Sequence, residues 1–310
     1  MVDIVITEFM DEEALKAIPS RYQVLYDPKL VDQPDLLLKA VSDAKALIVR
    51  NRTQVRGPLL SAASALRVVG RLGVGLDNID MEACAAREIT VFPATGANDL
   101  SVAEWVICTA MLLLRGAYLA TPDVIAGTWP RNRLMGRELS GKTMGLVGYG
   151  SIAREVAVRA NALGMRCIAF DPYLSDEHPA WHMAQRHGLE PLLREADVVS
   201  LHVPLNETTA NMMDAVRLKR MKKDAILLNA ARGGVVDEAA LATALKAGML
   251  GGAALDVFDE EPLSATRGAI FASCPNLILT PHIAGVTQES NVRVSHVTVT
   301  NVLKALESGR

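Results

Sequence analysis

Six short apolar segments follow one another in the second half of the chain, each separated from the next by a polar or helix-like stretch. Beginning just after Lys142, they read TMGLVG, MRCIAFD, DVVSLHV, AILLNAA, GGAALDV and NLILTPHI. They are apolar along their whole length, as parallel strands are when helices cover both faces of the sheet. The first hundred residues alternate in the same way. The pattern predicts an α/β fold with two doubly wound parallel-sheet units.

A long apolar helix is predicted from about Asn98 to Leu119, and a weakly periodic arm at 120–140 follows it. The longest apolar run, Val106 to Leu114, is far shorter than the ~18 residues of a membrane span. The N-terminal stretch MVDIVITEF lacks the basic and apolar regions of a signal peptide. A net charge of -3 gives no general attraction to nucleic acid or to anionic membranes. We therefore expect a cytoplasmic protein without nucleic-acid or membrane partners.

The first strand of the second unit runs into a glycine turn, Gly148-Tyr-Gly150-Ser-Ile-Ala153, and a helix-like stretch follows. In such a turn the first glycine permits the tight bend, the second lets a pyrophosphate approach the backbone, and the third position packs helix on strand. The helix N-terminus adds free N–H groups and a partial positive charge. The turn predicts a dinucleotide site, with a methyltransferase or a purely structural turn as alternatives.

The next strand ends in Asp171, where an acidic side chain would accept hydrogen bonds from an adenosine ribose. Pro172 and Tyr173 follow, and neither can pair with a 2′-phosphate. The sequence therefore favours NAD over NADP.

Cysteine and histidine give weaker signals. The four cysteines, none in a CxxC pair, all have apolar neighbours in the sequence and are expected to be buried, reduced thiols. His178, His182 and His187 have spacings that could serve a metal, but their stretch is polar and contains a proline, so we expect surface histidines and no metal.

Three later strand ends carry candidate catalytic side chains: NAARGGVVDE (229–238), ALDVFDEEPL (254–263) and LTPHIAG (279–285). Open α/β sheets bind ligands at such positions. His282 suits the role of a general base, because imidazole titrates near neutral pH. Glu261 would orient the ring, and Arg232 can grip a carboxylate with two hydrogen bonds.

Together with GVGLDNID (73–80), the glycine turn and LHVPLNETT (201–209), these stretches resemble the D-2-hydroxyacid dehydrogenase family over essentially the whole chain. The resemblance implies that the family's catalytic Arg, Glu and His are Arg232, Glu261 and His282. It implies a Rossmann cofactor domain at 99–283, inserted in a flavodoxin-like substrate domain formed by 1–98 and 284–310. It also implies a homodimer that pairs through the long helix and the arm.

The resemblance further implies binding residues. The expected NAD contacts are Gly148, Gly150, Ser151, Ile152, Asp171, Val203, Ala230, Ala231, Asp256 and Gly285. Substrate contacts are expected from the backbone of Val74 and Gly75, which would hold the carboxylate, and from the loop that contains Arg50 and Asn51.

Several arginines suit a substrate with a second anionic group. Arg50 is the best candidate, and the sequence does not decide whether Arg52, Arg71, Arg131 or Arg133 also reach the substrate. We expect 3-sulfolactate as the substrate, with 3-phosphoglycerate as the alternative. A non-enzymatic NAD sensor of the corepressor type is a further alternative, since such proteins share the fold.

Overall fold

The computed structural model describes residues 2–308, which divide into two compact units. One unit contains the residues up to Asn98 together with those from Val286 onward, and the other is Asp99–Gly285. Each unit is a parallel α/β sheet with helices on both faces, as the alternating pattern predicts.

The first unit has five strands in the order β2-β1-β3-β4-β5, all parallel. The strands are β1 (Ile4–Ile6), β2 (Val24–Tyr26), β3 (Ala46–Val49), β4 (Val68–Arg71) and β5 (Thr90–Pro93). The helices are α1 (Glu12–Lys16), α2 (Pro34–Val41), α3 (Gly57–Ala62), α4 (Met81–Ala86) and α12 (Gln288–Glu307). The order is that of flavodoxin-like sheets, whose direction of winding reverses between β1 and β3.

The C-terminal helix α12 closes one face of this first sheet. It begins with a capping box between Thr287 and Ser290, which satisfies two backbone N–H groups at its start. It packs so closely on β4 that a Cβ at Gly70 would lie 2.7 Å from side-chain carbons of Thr298 and Val302. A larger residue at Gly70 would therefore push the last helix away from the sheet.

The second unit has seven parallel strands in the order β12-β11-β10-β9-β6-β7-β8. Its strands are β6 (Thr143–Val147), β7 (Arg166–Phe170), β8 (Gln185–Arg186), β9 (Val198–Leu201), β10 (Ile226–Asn229), β11 (Gly252–Leu255) and β12 (Leu277–Leu279). Its helices are α5 (Asp99–Arg115), α6 (Thr121–Ile125), α7 (Ser151–Ala162), α8 (Leu189–Glu195), α9 (Ala215–Arg220), α10 (Glu238–Lys246) and α11 (Ala265–Gly268). This is the Rossmann order with a seventh strand, and its winding reverses between β6 and β9.

The long apolar helix is shorter than expected. Gly116, at φ 60, adopts the left-handed conformation and ends α5 at Arg115, and a 3-10 turn (Ala117–Leu119) follows. The helix belongs to the second unit. Within residues 2–308 no single helix is both long and apolar enough to cross a bilayer. The bent pair Asp99–Arg115 and Ala117–Ile125 would have to act together across a 63° turn.

One expectation about cysteine was wrong. Cys84 and Cys167 are buried and Cys274 is partly buried, but Cys108 is exposed. It lies on the α5 face that also exposes Glu104, Met111 and Leu112, each about one turn away. Apolar neighbours in the sequence did not mean burial, because α5 packs on its unit along its opposite side.

The histidine stretch forms a 3-10 turn (Pro179–Met183) and the short edge strand β8. His182 is exposed, but His178 and His187 are partly buried, so the expectation of three surface histidines was only partly right. His178 Nδ1 accepts from the Ala180 amide, and His187 Nε2 lies 3.1 Å from Glu195 Oε2. His182 Nδ1 contacts the Pro179 carbonyl, so each of the three histidines has a polar partner nearby in the chain.

Candidate active site

The glycine turn lies at the reversal point of the Rossmann sheet, directly after β6. Gly148 has φ 85, and a Cβ there would lie 2.5 Å from the carbonyl oxygen of His202, the residue after β9. Only glycine satisfies both the left-handed backbone and the close approach of the neighbouring strand. Gly148 is therefore required by the fold of the protein itself.

Gly150 has no such requirement. It is the N-cap of α7 at φ -74 and ψ -166, which is ordinary extended backbone, and a Cβ there would have no atom within 4 Å. Glycine has no side chain to cap the helix, so the first amides of α7, at Ser151 and Ile152, open onto this space. A glycine that the protein's packing does not need, at a helix N-terminus, fits a site for a phosphate-bearing ligand. The residues present thus fit the pyrophosphate of a dinucleotide.

Asp171 braces the same turn. Its carboxylate accepts from the backbone amides of Tyr149 at 2.8 Å, Tyr173 at 2.9 Å and Leu174 at 3.3 Å. A carboxylate has about four acceptor positions, so these contacts leave room for one further hydroxyl. Asp171 therefore has a structural function that sequence reasoning did not assign to it.

The loop after β10 carries Ala230, Ala231 and Arg232. Asn229, the buried last residue of β10, holds it from both sides: its Nδ2 donates to the Arg232 carbonyl at 2.9 Å, and its Oδ1 accepts from the Ala231 amide at 3.0 Å. The Arg232 guanidinium donates to the Ala231 carbonyl at 2.6 Å. The loop that contains Arg232 is thus fixed by a buried side-chain amide.

The loop after β12 carries His282 in an unusual backbone conformation, at φ 55. A left-handed conformation costs a non-glycine residue about 1–3 kcal/mol and persists only when its surroundings hold it. Here the buried Asp256 carboxylate accepts from Thr280 Oγ1 and from the amides of Ile283 and Ala284, both at 2.8 Å. The His282 amide in turn donates to the Asp256 carbonyl at 2.8 Å. Asp256 therefore sets the conformation of the histidine loop.

Glu261 and His282 are brought together: Glu261 Oε2 lies 2.6 Å from His282 Nδ1. The other oxygen, Oε1, accepts from the Phe258 amide at 3.0 Å. Burial alone would raise the pKa of Glu261, but the hydrogen bonds from His282 and Phe258 and the charge of Arg232 together lower it. Glu261 is therefore ionised at neutral pH, and it directs His282 Nε2 away from itself.

The loops of Arg232 and Glu261 pack directly on each other. A Cβ at Gly233 would lie 1.8 Å from the Phe258 carbonyl oxygen, so only glycine allows this approach. The buried Glu238, at the start of α10, accepts from the Asp259 amide at 2.8 Å, and burial raises its pKa. The second unit thus assembles all three predicted catalytic side chains on loops that buried polar groups hold.

Beside the glycine turn, the residue after β9 is a half-buried histidine. Its Nε2 lies 2.9 Å from the hydroxyl of the buried Ser200, and burial lowers the pKa of His202 to about 4. His202 is therefore neutral at pH 7. Val203, the predicted adenine-side contact, follows it and is partly buried.

In the first unit, Arg50 and Asn51 lie on the loop after β3, beside the reversal point between β1 and β3. Arg50 is partly buried and Asn51 is exposed. The neighbouring Arg52 pairs with Asp32, and in the other unit Arg133 pairs with Asp123 and Arg131 is exposed. Arg50 is thus the half-buried arginine of its loop.

The stretch after β4 contains Val74 and Gly75. Among the described residues, their backbone amides have no hydrogen-bond acceptor. Gly73 precedes them at φ 141, and the Arg71 guanidinium lies where its Cβ would be, 1.6 Å from that position. Glycine at 73 therefore lets the Arg71 side chain cross the loop of the two open amides.

Sequence reasoning missed Glu8, Asn229 and Glu238, which hold these loops, and Asn291, which contacts the Arg50 side chain. Asn229 and Glu8 could have been suspected, because each ends or follows a buried strand at the edge where ligands bind. Asn291 and Glu238 gave no signal, since nothing in the sequence relates them to the loops that they contact.

Comparison with known proteins agrees with this geometry. Residues 107–284 match the model of the D-isomer specific 2-hydroxyacid dehydrogenase NAD-binding domain. The chain is 52% identical over 307 residues to the (S)-sulfolactate dehydrogenase of Chromohalobacter salexigens, covering 99% of both proteins. It is 37% identical over 312 residues to the D-3-phosphoglycerate dehydrogenase of Methanocaldococcus jannaschii, and covers 58% of that longer protein.

Solved structures of other proteins have the same fold over nearly the whole chain. A crystal structure of a protein from Thermus thermophilus superimposes with a TM-score of 0.87 at 34% identity, covering 99% of this chain and 97% of that one. D-lactate dehydrogenase from Aquifex aeolicus, solved with NAD and lactic acid, superimposes with a TM-score of 0.83 at 27% identity, covering 99% and 96%.

The chain therefore belongs to the D-isomer specific 2-hydroxyacid dehydrogenase family. It is an NAD-dependent enzyme that transfers hydride between a 2-hydroxy acid and its 2-keto acid, and the methyltransferase alternative does not apply.

Proposed function

We propose that the enzyme oxidises (S)-3-sulfolactate to 3-sulfopyruvate with NAD. The observation that carries this proposal is the 52% identity, over nearly the whole of both chains, to a sulfolactate dehydrogenase. The (S) descriptor agrees with a D-specific family, because the sulfur-bearing carbon outranks the carboxylate in the priority rules. The spatial arrangement that is R in D-lactate is therefore S in sulfolactate.

In the proposed mechanism His282 is the general base. With Nδ1 hydrogen-bonded to Glu261, the Nε2 atom of the neutral ring can accept the proton of the C2 hydroxyl. The ionised Glu261 fixes the tautomer and stabilises the imidazolium that forms. NAD, when bound, supplies the acceptor for the hydride that leaves C2.

Arg232 would hold the substrate carboxylate and polarise the carbonyl oxygen in the reverse direction. The open amides of Val74 and Gly75 suit an anionic group of the substrate, since backbone N–H groups readily bind anionic oxygens. Arg50, with Asn51 beside it, would bind the second anionic group, and Arg71 is a further candidate because its guanidinium crosses the loop of the open amides.

We infer that NAD contacts Gly150, Ser151 and Ile152 through its pyrophosphate and Asp171 through its ribose. The other inferred cofactor contacts are Gly148, Val203, Ala230, Ala231, Asp256 and Gly285. Support comes from the open space at Gly150 and from the acceptor capacity that remains on Asp171. On this basis residues 99–283 form the cofactor domain, and 1–98 with 284–310 form the substrate domain.

We further propose a cytoplasmic homodimer. Ile125, Trp129 and Met135 in the arm are 82%, 75% and 78% exposed, and together with Met111 and Leu112 of α5 they offer apolar side chains to a second copy. The cysteines are free thiols, as is usual in a reducing compartment. Sedimentation of the purified protein tests the dimer.

The substrate proposal is tested by NADH formation with a panel of 2-hydroxy acids: (S)-3-sulfolactate, D-3-phosphoglycerate, malate, D-lactate and D-glycerate. We expect the highest kcat/KM with sulfolactate. A higher value with phosphoglycerate would favour the second candidate, which rests on relatives at 36–40% identity. No turnover on the panel, with NADH still bound, would contradict both.

A further inference from the structure

Two arginines of the loop after β3 have partners of different charge. Arg52 pairs with the carboxylate of Asp32, and both side chains are more than half exposed. Arg50 instead donates to the Phe9 carbonyl at 3.3 Å and to the amide oxygen of Asn291 at 2.5 Å, and its guanidinium lies 5.8 Å from the centre of the Phe9 ring. The hydrogen-bond acceptors of Arg50 are therefore neutral, whereas that of Arg52 is an anion.

A neutral acceptor fixes a guanidinium without compensating its charge. Arginine has five N–H groups, and the contacts with Phe9 and Asn291 use two of them. Burial lowers the pKa of Arg50 and the nearby negative charge of Glu8 opposes this, but the guanidinium remains charged at any physiological pH. Arg50 can thus offer further donors and a net charge to an incoming anion.

The backbone of the loop is fixed as firmly as the side chain. The buried Glu8 carboxylate accepts from the amides of Arg50 at 2.9 Å, Arg52 at 3.1 Å and Thr53 at 3.0 Å. Asn78 Nδ2 donates to the carbonyls of Arg50 and Thr53. These contacts leave the loop little freedom to move, so the orientation of the Arg50 side chain depends on its two acceptors.

The position of this loop is one where ligands bind in doubly wound sheets. Glu8 lies just after β1 and Arg50 just after β3, so the two flank the reversal point of the first sheet at the carboxyl ends of its strands. Asn291 comes to this point from the first turn of α12, 241 residues further along the chain.

We propose that Asn291 is a positioning residue that sets the preference of the enzyme for substrates with a second anionic group. It holds the Arg50 guanidinium through an uncharged oxygen, which keeps the positive charge available. This inference rests on the proposed function of Arg50 as the contact for the sulfonate. An acid at 291 would occupy Arg50 as Asp32 occupies Arg52.

The test is Asn291→Asp, assayed with (S)-3-sulfolactate and with D-lactate. We expect kcat/KM for sulfolactate to fall about 30- to 100-fold, mainly through KM, because the new carboxylate neutralises Arg50 and repels the sulfonate. The value for D-lactate should change by less than about threefold. The control Asn301→Asp makes the same chemical change about 15 Å further along α12 and should leave both values unaltered.

Asn291→Ala distinguishes a function of Asn291 in positioning Arg50 from a general effect on the folding of the enzyme. It removes the acceptor without adding charge, so we expect a smaller loss of about fivefold to tenfold for sulfolactate alone, with unchanged NADH binding. Equal losses for both substrates in Asn291→Ala and Asn291→Asp would overturn the inference, as would unchanged sulfolactate kinetics.

Arg50→Ala separates failure of this inference from failure of the proposed function. A selective loss of sulfolactate activity in Arg50→Ala, without one in Asn291→Asp, would reject Asn291 alone. Equal loss of both substrates in Arg50→Ala would reject Arg50 as the sulfonate contact, and the inference about Asn291 would fail with it.

Discussion

The two sheets of this enzyme reverse their winding at one point each, and the sequence equips those points differently. At the reversal point of the second unit, between β6 and β9, the candidate binding groups belong to the backbone. They are the turn at Gly148, which the fold requires to be glycine, the open space at Gly150, which the fold does not require to be glycine, and the N-terminus of α7. At the reversal point of the first unit, between β1 and β3, the candidate binding groups are side chains, with the buried Glu8 beneath a loop of arginines. Binding through backbone groups suits a ligand that is common to a whole family, whereas binding through side chains suits a substrate that varies within the family.

The largest effect is expected from His282→Ala, which removes the proposed base. We expect kcat to fall roughly 10²–10⁴-fold, as is typical when a general base is lost. NADH binding, measured by fluorescence titration, should stay within about twofold of the unmodified enzyme. Loss of NADH binding would mean that His282 has a structural function in the loop held by Asp256.

Arg50→Ala tests whether a side chain at the reversal point of the first sheet binds the substrate. Loss of a charged contact to the sulfonate should lower kcat/KM for sulfolactate about 30- to 100-fold. Steady-state assays with D-lactate should give less than about a threefold change. Arg52→Ala is the matched control from the same loop, since Arg52 already pairs with Asp32, and it should affect both substrates little.

A pair of glycine variants tests whether the backbone at the reversal point of the second sheet binds the cofactor. Gly150→Ala should bind NADH at least about tenfold more weakly, because the new methyl enters the space next to the open amides. Its melting temperature should not fall, because a Cβ there meets no protein atom. Gly148→Ala should lose roughly 1–3 kcal/mol of stability, since its φ is 85 and the His202 carbonyl blocks the methyl. Equal stability of the two variants would contradict the requirement of the fold for glycine at 148 alone.

Asp171→Ala should weaken NAD binding about tenfold and reduce discrimination against NADP, because the ribose acceptor is lost. Since Asp171 also braces the turn through Tyr149, a modest loss of stability should accompany this change. Unchanged KM values for both cofactors would exclude Asp171 from the ribose site.

The smallest effect is expected in the contribution of the Glu261–His282 pair to the stability of the folded enzyme, measured as a function of pH. The folded-state pKa of Glu261 lies below its ordinary value of 4.5, so the stabilisation is fully present above that pH and is lost as the pH falls through the lowered value. The stability difference between the enzyme and Glu261→Gln should therefore shrink only in acid. A difference that shrinks already near neutral pH would contradict the assignment.

Much of this fold follows from local signals. Continuous apolar runs predicted six strands of the second unit, β6, β7 and β9 to β12, close to their observed positions, and the glycine turn, Asp171, Arg232, Glu261 and His282 all follow strand ends. The two-residue edge strand β8 was missed, because it has too few residues to form a pattern.

Long-range contacts could not be predicted in the same way. The Asn291 contact with Arg50 and the Glu238 contact with Asp259 depend on how helices and loops pack. The sequence around an asparagine or glutamate on a helix does not indicate which distant residue it will contact. The same holds for the exposure of Cys108, which depends on the face of α5 that packs on the unit.

The proposed function is that of a D-specific dehydrogenase whose substrate carries a second anionic group. The most direct test is NADH formation from enantiopure 3-sulfolactate, each enantiomer assayed separately. We expect rapid oxidation of the (S) enantiomer and none of the (R) enantiomer. Oxidation of the (R) enantiomer, or of neither while NADH still binds, would contradict the proposed function.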